Sequence, residues 1–419
     1  MIIILNIHFS FINRLKYSRN FGYHETLSYY KIVEPVFFLK LINRSSITLP
    51  LHHGHPPQYL LARMKRLACS ISKILIEDHG TSEFLKRLAD PLWFQSFGCV
   101  LGFDWHSSGL TTVVTGVLQR SVNLEEHGIM IAGGKGKKSI STRSQIPNLA
   151  TVANMTGKKI SELIYADKMT AKVDNSAVQD GYDLYHHAVF FDDNGDWTII
   201  QQGMNSGIKM ARRYHWVSDR IHSSFLSEPH SGIICDRIHD DVLDMTARDS
   251  IETQKTTIDL INGNPSNLIS SIKKLQVPRF KTMDNWIFDH NSVDNIQLNY
   301  EMPSHLNWKT VKKIYDIQPR NYEEFVTIDG VGPSLIRALA LISQLIYGSK
   351  TSWQDPVQFS FAHGGKDGVP FPINRNTFDR SIKFLKEAIE GGEISGEEKR
   401  SALKRLSSNL RIILPGYGQ

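Results

Sequence analysis

Cysteine is scarce in this chain: Cys69, Cys99 and Cys235 stand far apart and form no C-x-x-C pair. That excludes a disulfide framework and a cysteine-rich zinc site, and it points to a reducing, cytoplasmic interior. Long apolar runs are also missing, since none reaches the ~18 residues that a membrane span needs. The apolar start of residues 1–43 is followed, not preceded, by Lys and Arg and shows no small-residue cleavage site. It therefore reads as a peripheral extension and not as a signal peptide. A strong charge bias is absent too: 48 Lys+Arg against 42 Asp+Glu leave +6. This is mildly basic and compatible with a polyanionic partner. There is no internal repeat and no low-complexity segment.

What is present is 419 residues, 41% of them hydrophobic, enough for two or three domains with a sizeable core. The expected plan is α+β: the extension at 1–43, a mixed α/β domain at 44–240, a helical connector at 241–320, and a helical domain at 321–419. Leu60, Leu61, Met64, Leu67 and Ile71 recur at helical spacing behind Pro56 and Pro57. A second helix is predicted over 82–88. Cys99 to Trp105 reads as a short strand, followed by a Ser/Gly loop and a helix with Leu110, Val113, Val114, Val117 and Leu118 on one face. "GIMIAGGKGKKSIS" repeats strand, loop and helix. "DLYHHAVFFDDNGDWTIIQQGMN" is a hairpin with two β-rich runs around its turn. From Trp308 onward the chain reads mostly as helix.

The segment 321–342, "YEEFVTIDGVGPSLIRALALIS", places a tight turn between two apolar helices, with Leu335, Ala338, Leu339 and Ile342 packing back on Phe325 and Ile328. Its glycines suit a turn that demands φ > 0, and its backbone N–H groups beside a helix start form a donor nest for a phosphate. The segment resembles the helix-hairpin-helix module of DNA repair proteins, which implies backbone contacts through Gly330, Val331, Gly332, Ser334 and Arg337. Asp329 runs against that reading; Arg337 and Lys350 offset it.

Histidine marks the α/β half. Six of the 17 (His186, His187, His215, His222, His230, His239) fall between 186 and 239. Asp104 and His106, two apart, share one side of the predicted strand and suit a shared metal. His186 and His187 point to opposite faces, and so do Gln201 and Gln202. A buried His/Gln stripe is costly unless it serves a site. The loop Gly133, Gly134, Lys135, Gly136, Lys137, Lys138 lacks Walker A spacing but attracts phosphates. Arg212, Arg213 and Lys366, the last in the Gly-rich loop 359–372, extend the basic set.

Six ordered blocks, "LPLHHGHPPQYLLARMKRL", "FGCVLGFDWHSSGLTTVVTGVL", "GGKGKKS", "DLYHHAVFF…GDWTIIQQGMN", "ARRYHW" and "FAHGGKDGVPFP", resemble the domain-of-unknown-function 763 family. The resemblance implies a microbial, largely archaeal, cytoplasmic protein and gives little chemistry. The resulting expectation is a DNA-binding protein of repair or processing type, acting as a metal-dependent nuclease. Asp104, His106, His186 or His187, and His215 would surround a divalent Mg, Mn or Zn ion, with Gln201 and Gln202 beside them. The alternatives are a non-catalytic DNA scaffold and a nucleotide or small-phosphate enzyme. No membrane partner is expected.

Overall fold

A computed structural model describes residues 58–103, 109–221, 224–235, 238–276, 302–357 and 375–413. Asp104, His106, His222, Lys366, residues 1–43 and the loop 359–372 lie outside the described residues.

Helix α1 (Gln58–Ala89) kinks at Gly80, whose φ of 84° no helix accommodates. Met64, Leu67 and Ile71 are buried before the kink and Phe84, Leu85 and Leu88 after it, so the helix predicted at 82–88 is the second half of α1. Asp90 then caps α2 (Pro91–Leu101), its carboxylate accepting from Leu92 N at 2.9 Å and Trp93 N at 3.2 Å, with Pro91 in the first turn. This corrects the strand expected from Cys99. Every residue of α2 is buried, and a helix buried all round presents the same continuous apolar run as a core strand. Helix α3 (Gly109–Ser121) turns Leu110, Val114, Val117 and Leu118 inward as expected, with Val113 half-buried.

The short helix α4 (Leu124–His127) leads into β1 (Ile129–Lys135). The one-turn α5 (Lys137–Ile140), α6 (Thr142–Val152) and α7 (Gly157–Lys172) follow. A two-stranded ribbon joins β2 (Val178–Gln179) to β7 (Leu243–Asp244). The predicted hairpin is β3 (Asp183–Asp192) and β4 (Trp197–Asn205), extended by β5 (Met210–Val217) and β6 (Gly232–Ile234). These strands form a five-stranded sheet in the order β1-β3-β4-β5-β6, antiparallel throughout. The remaining helices are α8 (Ile251–Asn262), α9 (Pro265–Gln276), α10 (Trp308–Ile317), α11 (Tyr322–Thr327), α12 (Pro333–Tyr347), α13 (Arg375–Gly391) and α14 (Gly396–Ile413). The fold is a mixed α+β architecture.

Both faces of the sheet are covered. On one, Val189, Phe191, Ile199 and Trp216 pack with Leu163 and Met169 of α7 and with Phe325, Val331, Leu335 and Leu339 from the 321–342 segment. On the other, Phe190, Ile200 and Ile234 pack with Leu67 and Ile71 of α1, Trp93 and Phe97 of α2, Val114 and Leu118 of α3, and Leu385 and Leu406 of α13 and α14. Each such side chain, fully buried, contributes about 1.5–3 kcal/mol. Residues 47–419 make one compact unit. No described helix is long and apolar enough to cross a membrane.

Candidate functional site

Strand periodicity sorts the polar residues of the sheet into two rows. The register pairs Lys135 with His186, His186 with Gln202, and Gln202 with Arg213. One step along, it pairs Gly134 with His187, His187 with Gln201, and Gln201 with Tyr214. Directly paired residues share a face, so the first row lies under α2 and α3 and the second under α7. The expected split of the two histidines and the two glutamines is what the structure contains.

The row under α7 is a closed network. Gln201 Nε2 donates to Asp174 Oδ2 at 2.6 Å, and Trp216 Nε1 donates to the same oxygen at 2.8 Å. His230 Nε2 meets the other oxygen, Oδ1, at 2.5 Å. With its amide committed to Asp174, Gln201 presents Oε1 to His187 Nδ1 at 2.9 Å. An oxygen of that kind only accepts, so Nδ1 carries a proton. His187 Nε2 lies 2.9 Å from Asp167 Oδ1. His187 and Gln201 thus have every polar ring and amide atom engaged, in a buried polar core that leaves nothing over for a ligand.

The row under α2 and α3 is not closed. Arg213 is 1% exposed. It donates through Nε to His215 Nε2 at 2.8 Å, through one terminal nitrogen to Gln95 Oε1 at 2.9 Å, and through the other to Thr111 Oγ1 at 3.3 Å. Its guanidinium lies over the Phe94 ring, 4.8 Å from the centroid. All three acceptors are neutral, and no ion pair to Arg213 exists among the described residues. Burial pushes its pKa down to about 9, which still leaves it cationic at pH 7. Three of its five N–H groups are therefore placed, and its charge is uncompensated.

His186 sits two strands away, about 10 Å, and is 1% exposed. Its Nε2 lies 3.1 Å from Thr115 Oγ1, whose own proton is donated to Thr111 O at 2.8 Å. Thr115 therefore accepts, and Nε2 of His186 carries the ring proton. Burial, with His187 and Lys135 nearby, pushes the His186 pKa down to about 3. Nδ1 is then a bare lone pair, buried and without a hydrogen-bond partner among the described residues. His215 differs: Nδ1 donates to Leu88 O at 3.1 Å while Nε2 accepts from Arg213. Both nitrogens are spent, so His215 orients Arg213 and does not suit a metal ion. Gln202 Nε2 donates to the Tyr185 hydroxyl.

The Gly/Lys loop lies at the end of this row. Gly133 takes φ of +88°, and a Cβ there would fall 2.3 Å from His187 O, so only glycine lets β1 lie this close to β3. Lys135, Lys137 and Lys138 are exposed, with no ion pair among the described residues. Lys135 lies 5.9 Å from the Tyr185 ring centroid.

Arg212 and Arg213 do not form one steering pair. Arg212 is fully buried on the opposite face, bridging Asp180 Oδ2 at 2.8 Å and Asp355 Oδ2 at 2.7 Å. It is spent on structural carboxylates and unable to meet an incoming phosphate, a correction to its expected role. At the hinge, Gly330 has φ of +98° and Thr310 Oγ1 would be 2.6 Å from its Cβ. Gly332 has φ of −143° and open space around it, so only one of the two glycines is required by backbone conformation. Val331 is buried and its N–H bonds Ile328 O at 3.1 Å. Lys172 Nζ donates to Val331 O at 2.6 Å and Lys168 lies 3.6 Å from the exposed Asp329. Ser334 is exposed, while Arg337 reaches Gln179 Oε1 at 3.5 Å and stacks over Trp353 at 5.1 Å. Lys350 pairs with Asp249 at 2.9 Å.

Cys69, Glu126 and His127 bring ligand-type atoms within 4.8 Å of one another. His127 Nδ1 accepts from Asn123 N at 3.4 Å, so Nε2 carries the proton and faces Cys69 O at 3.4 Å and Sγ at 3.8 Å. That proton stands where a metal would bind, and the group does not suit one.

Sequence reasoning missed Gln95, Thr111 and Thr115, which hold Arg213 and His186. Gln95 had a signal, as a lone amide inside the apolar run "PLWFQSFGCVL". The two threonines, four apart on α3, had none beyond their spacing.

The family model DUF763, described as a protein of unknown function, matches residues 45–373. The chain belongs to the DUF763 family. No curated protein and no solved structure matches it significantly. In this DUF763 chain both polar rows of the sheet and the hinge lie within the matched residues.

Proposed function

We propose that this protein holds the backbone of DNA and cleaves it as a divalent-metal-dependent nuclease of the cytoplasm, with the row Lys135–His186–Gln202–Arg213 as its reaction centre. One observation carries the reading: Arg213 is a buried cation with no carboxylate, facing the same layer as the bare Nδ1 of His186. A phosphodiester would supply the missing negative charge, with the unplaced N–H groups of Arg213 as donors for its oxygens. Because Arg213 and His186 are each 1% exposed, a phosphodiester reaches them only when the cover of α2 and α3 opens. His186 Nδ1 would be one ligand to a Mg, Mn or Zn ion; Asp104 and His106, which lie outside the described residues, are the further candidates from the sequence. A divalent ion held there would supply an activated water and would stabilise the charge that develops on the phosphodiester oxygens.

The exposed Lys135, Lys137 and Lys138 steer the backbone inward. The 321–342 hairpin supports the DNA assignment through Gly330 and Gly332, whose N–H groups bond no described acceptor. No disulfide joins Cys69, Cys99 and Cys235. A second reading, a DNA scaffold without catalysis, is favoured by the closed Asp174 network, which accounts for His187 and Gln201 with no ligand.

The test incubates the full chain with single-stranded, duplex and flap DNA plus Mg²⁺, Mn²⁺ or Zn²⁺. Cleavage that disappears in His186→Ala and in Arg213→Met, with melting curves retained, is the expected result. Salt-sensitive binding without cleavage by any metal leaves the scaffold. Absence of binding to all three DNAs overturns both.

A further inference from the structure

Helix α10 turns Thr310, Val311 and Ile314 into the core against α8 and α9. Its other side shows an unusual combination. Trp308 is 43% exposed and Tyr315 38% exposed, and Lys309, Lys312 and Lys313 are exposed beside them. None of these lysines has an ion pair among the described residues; Asp316 is the one carboxylate on this side of α10. Trp308, Lys312 and Tyr315 stand at i, i+4 and i+7, one stripe along the helix, with Lys309 and Lys313 in the next row. The helix adjoins the hinge: Thr310 fills the space that a side chain at position 330 would need. Asn307 caps the first turn through Lys309 N at 3.1 Å and Thr310 N at 3.3 Å, so the helix start is already satisfied.

We infer that this face of α10 binds single-stranded DNA, its two rings stacking on unpaired bases and its lysines contacting the intervening phosphates. The inference rests on the DNA reading above and names the form of DNA. Seven helical residues separate the rings by about 10 Å, the length of about three nucleotides of a stacked strand. A duplex keeps its bases stacked internally and offers this face only phosphates, for which lysines suffice. An exposed Trp and Tyr add affinity only where base faces are open. A lipid surface fits less well, because a helix lying in a bilayer buries its apolar face, and that face of α10 is already occupied by the core.

The experiment titrates the full chain into a labelled 12-mer of oligo(dT), a 12-base-pair duplex and phosphatidylserine vesicles, for wild type, Trp308→Ala/Tyr315→Ala, and Lys309→Gln/Lys312→Gln/Lys313→Gln. All substitutions are at exposed positions, and unchanged melting curves confirm the fold. The aromatic variant should bind oligo(dT) at least about tenfold more weakly and the duplex as wild type does. The lysine variant should weaken both and lower the salt slope on oligo(dT) by about two. Wild-type oligo(dT) binding that survives loss of both rings overturns this inference and leaves the DNA reading standing. Vesicle binding lost in the lysine variant, without oligo(dT) binding, overturns it in favour of a lipid surface. No binding to either DNA overturns both.

Discussion

Arg213 and His215, two residues apart on β5, face each other across one hydrogen bond: the arginine's Nε donates to the imidazole's Nε2 at 2.8 Å. That bond fixes the tautomer of His215, whose Nδ1 proton goes to Leu88 O. It also leaves Arg213 held only by neutral groups. The adjacent Arg212, on the other face, is held by two carboxylates. Neighbours in sequence thus carry opposite energetic signatures, and this is open to measurement.

Replacing Arg212 by Met strands Asp180 and Asp355 as buried unpaired carboxylates and should cost about 3–5 kcal/mol. Replacing Arg213 by Met removes a buried charge that nothing compensates. The relief offsets the loss of three hydrogen bonds to neutral partners, each worth about 1 kcal/mol. Urea denaturation should therefore show Arg212→Met strongly destabilised and Arg213→Met near wild type. Equal losses in the two variants contradict the assignment of Arg213 as a site residue.

The hinge glycines should separate in the same way. Gly330→Ala meets both a positive φ and Thr310 Oγ1 and should cost about 1–3 kcal/mol. Gly332→Ala, in extended backbone and open space, should stay within about 0.5 kcal/mol. Thermal melts of the two variants decide this. An equal effect shows that the turn is held by something other than the conformation of position 330.

His186 and His215 set an acid-side limit on the metal-free protein. Burial holds the His186 pKa at about 3, and burial with Arg213 beside it holds that of His215 well below the ordinary range. In the unfolded chain both titrate near 6.5. The unfolded state therefore binds more protons as pH falls below about 6.5, and stability drops with falling pH through that window. His215→Gln, which can still accept from Arg213 and donate to Leu88 O, should flatten the slope between pH 6.5 and 4. Denaturation midpoints across that range are the measurement, and an unchanged slope rules out the neutral buried imidazole.

Asp174 accepts from Gln201 and Trp216 and pairs with His230. Asp174→Ala leaves three buried polar groups without a partner and should cost more than about 3 kcal/mol. Intrinsic tryptophan fluorescence during urea unfolding, summed over the chain's 7 tryptophans, is the readout. A well-folded Asp174→Ala protein indicates that the network is not the polar core described.

The amphipathic helices, the β3–β4 hairpin and the alternation of His186 with His187 and Gln201 with Gln202 were legible in the sequence, because side chains repeat every 3.6 or every 2 residues wherever one face is buried. The same alternation places Arg212 and Arg213 on opposite faces. What periodicity does not contain is the partner. Asp180 and Asp355 reach Arg212 from 32 and 143 positions away, and Gln95 reaches Arg213 from 118. The strand expected at Cys99 became helix α2 for a related reason: a segment apolar on every side has no period, and its conformation followed from the Asp90 cap and the helices around it. Sequence alone determined which residues share a face. Only tertiary structure decided which of those faces was closed, with every charge paired, and which kept an arginine and a histidine nitrogen uncommitted.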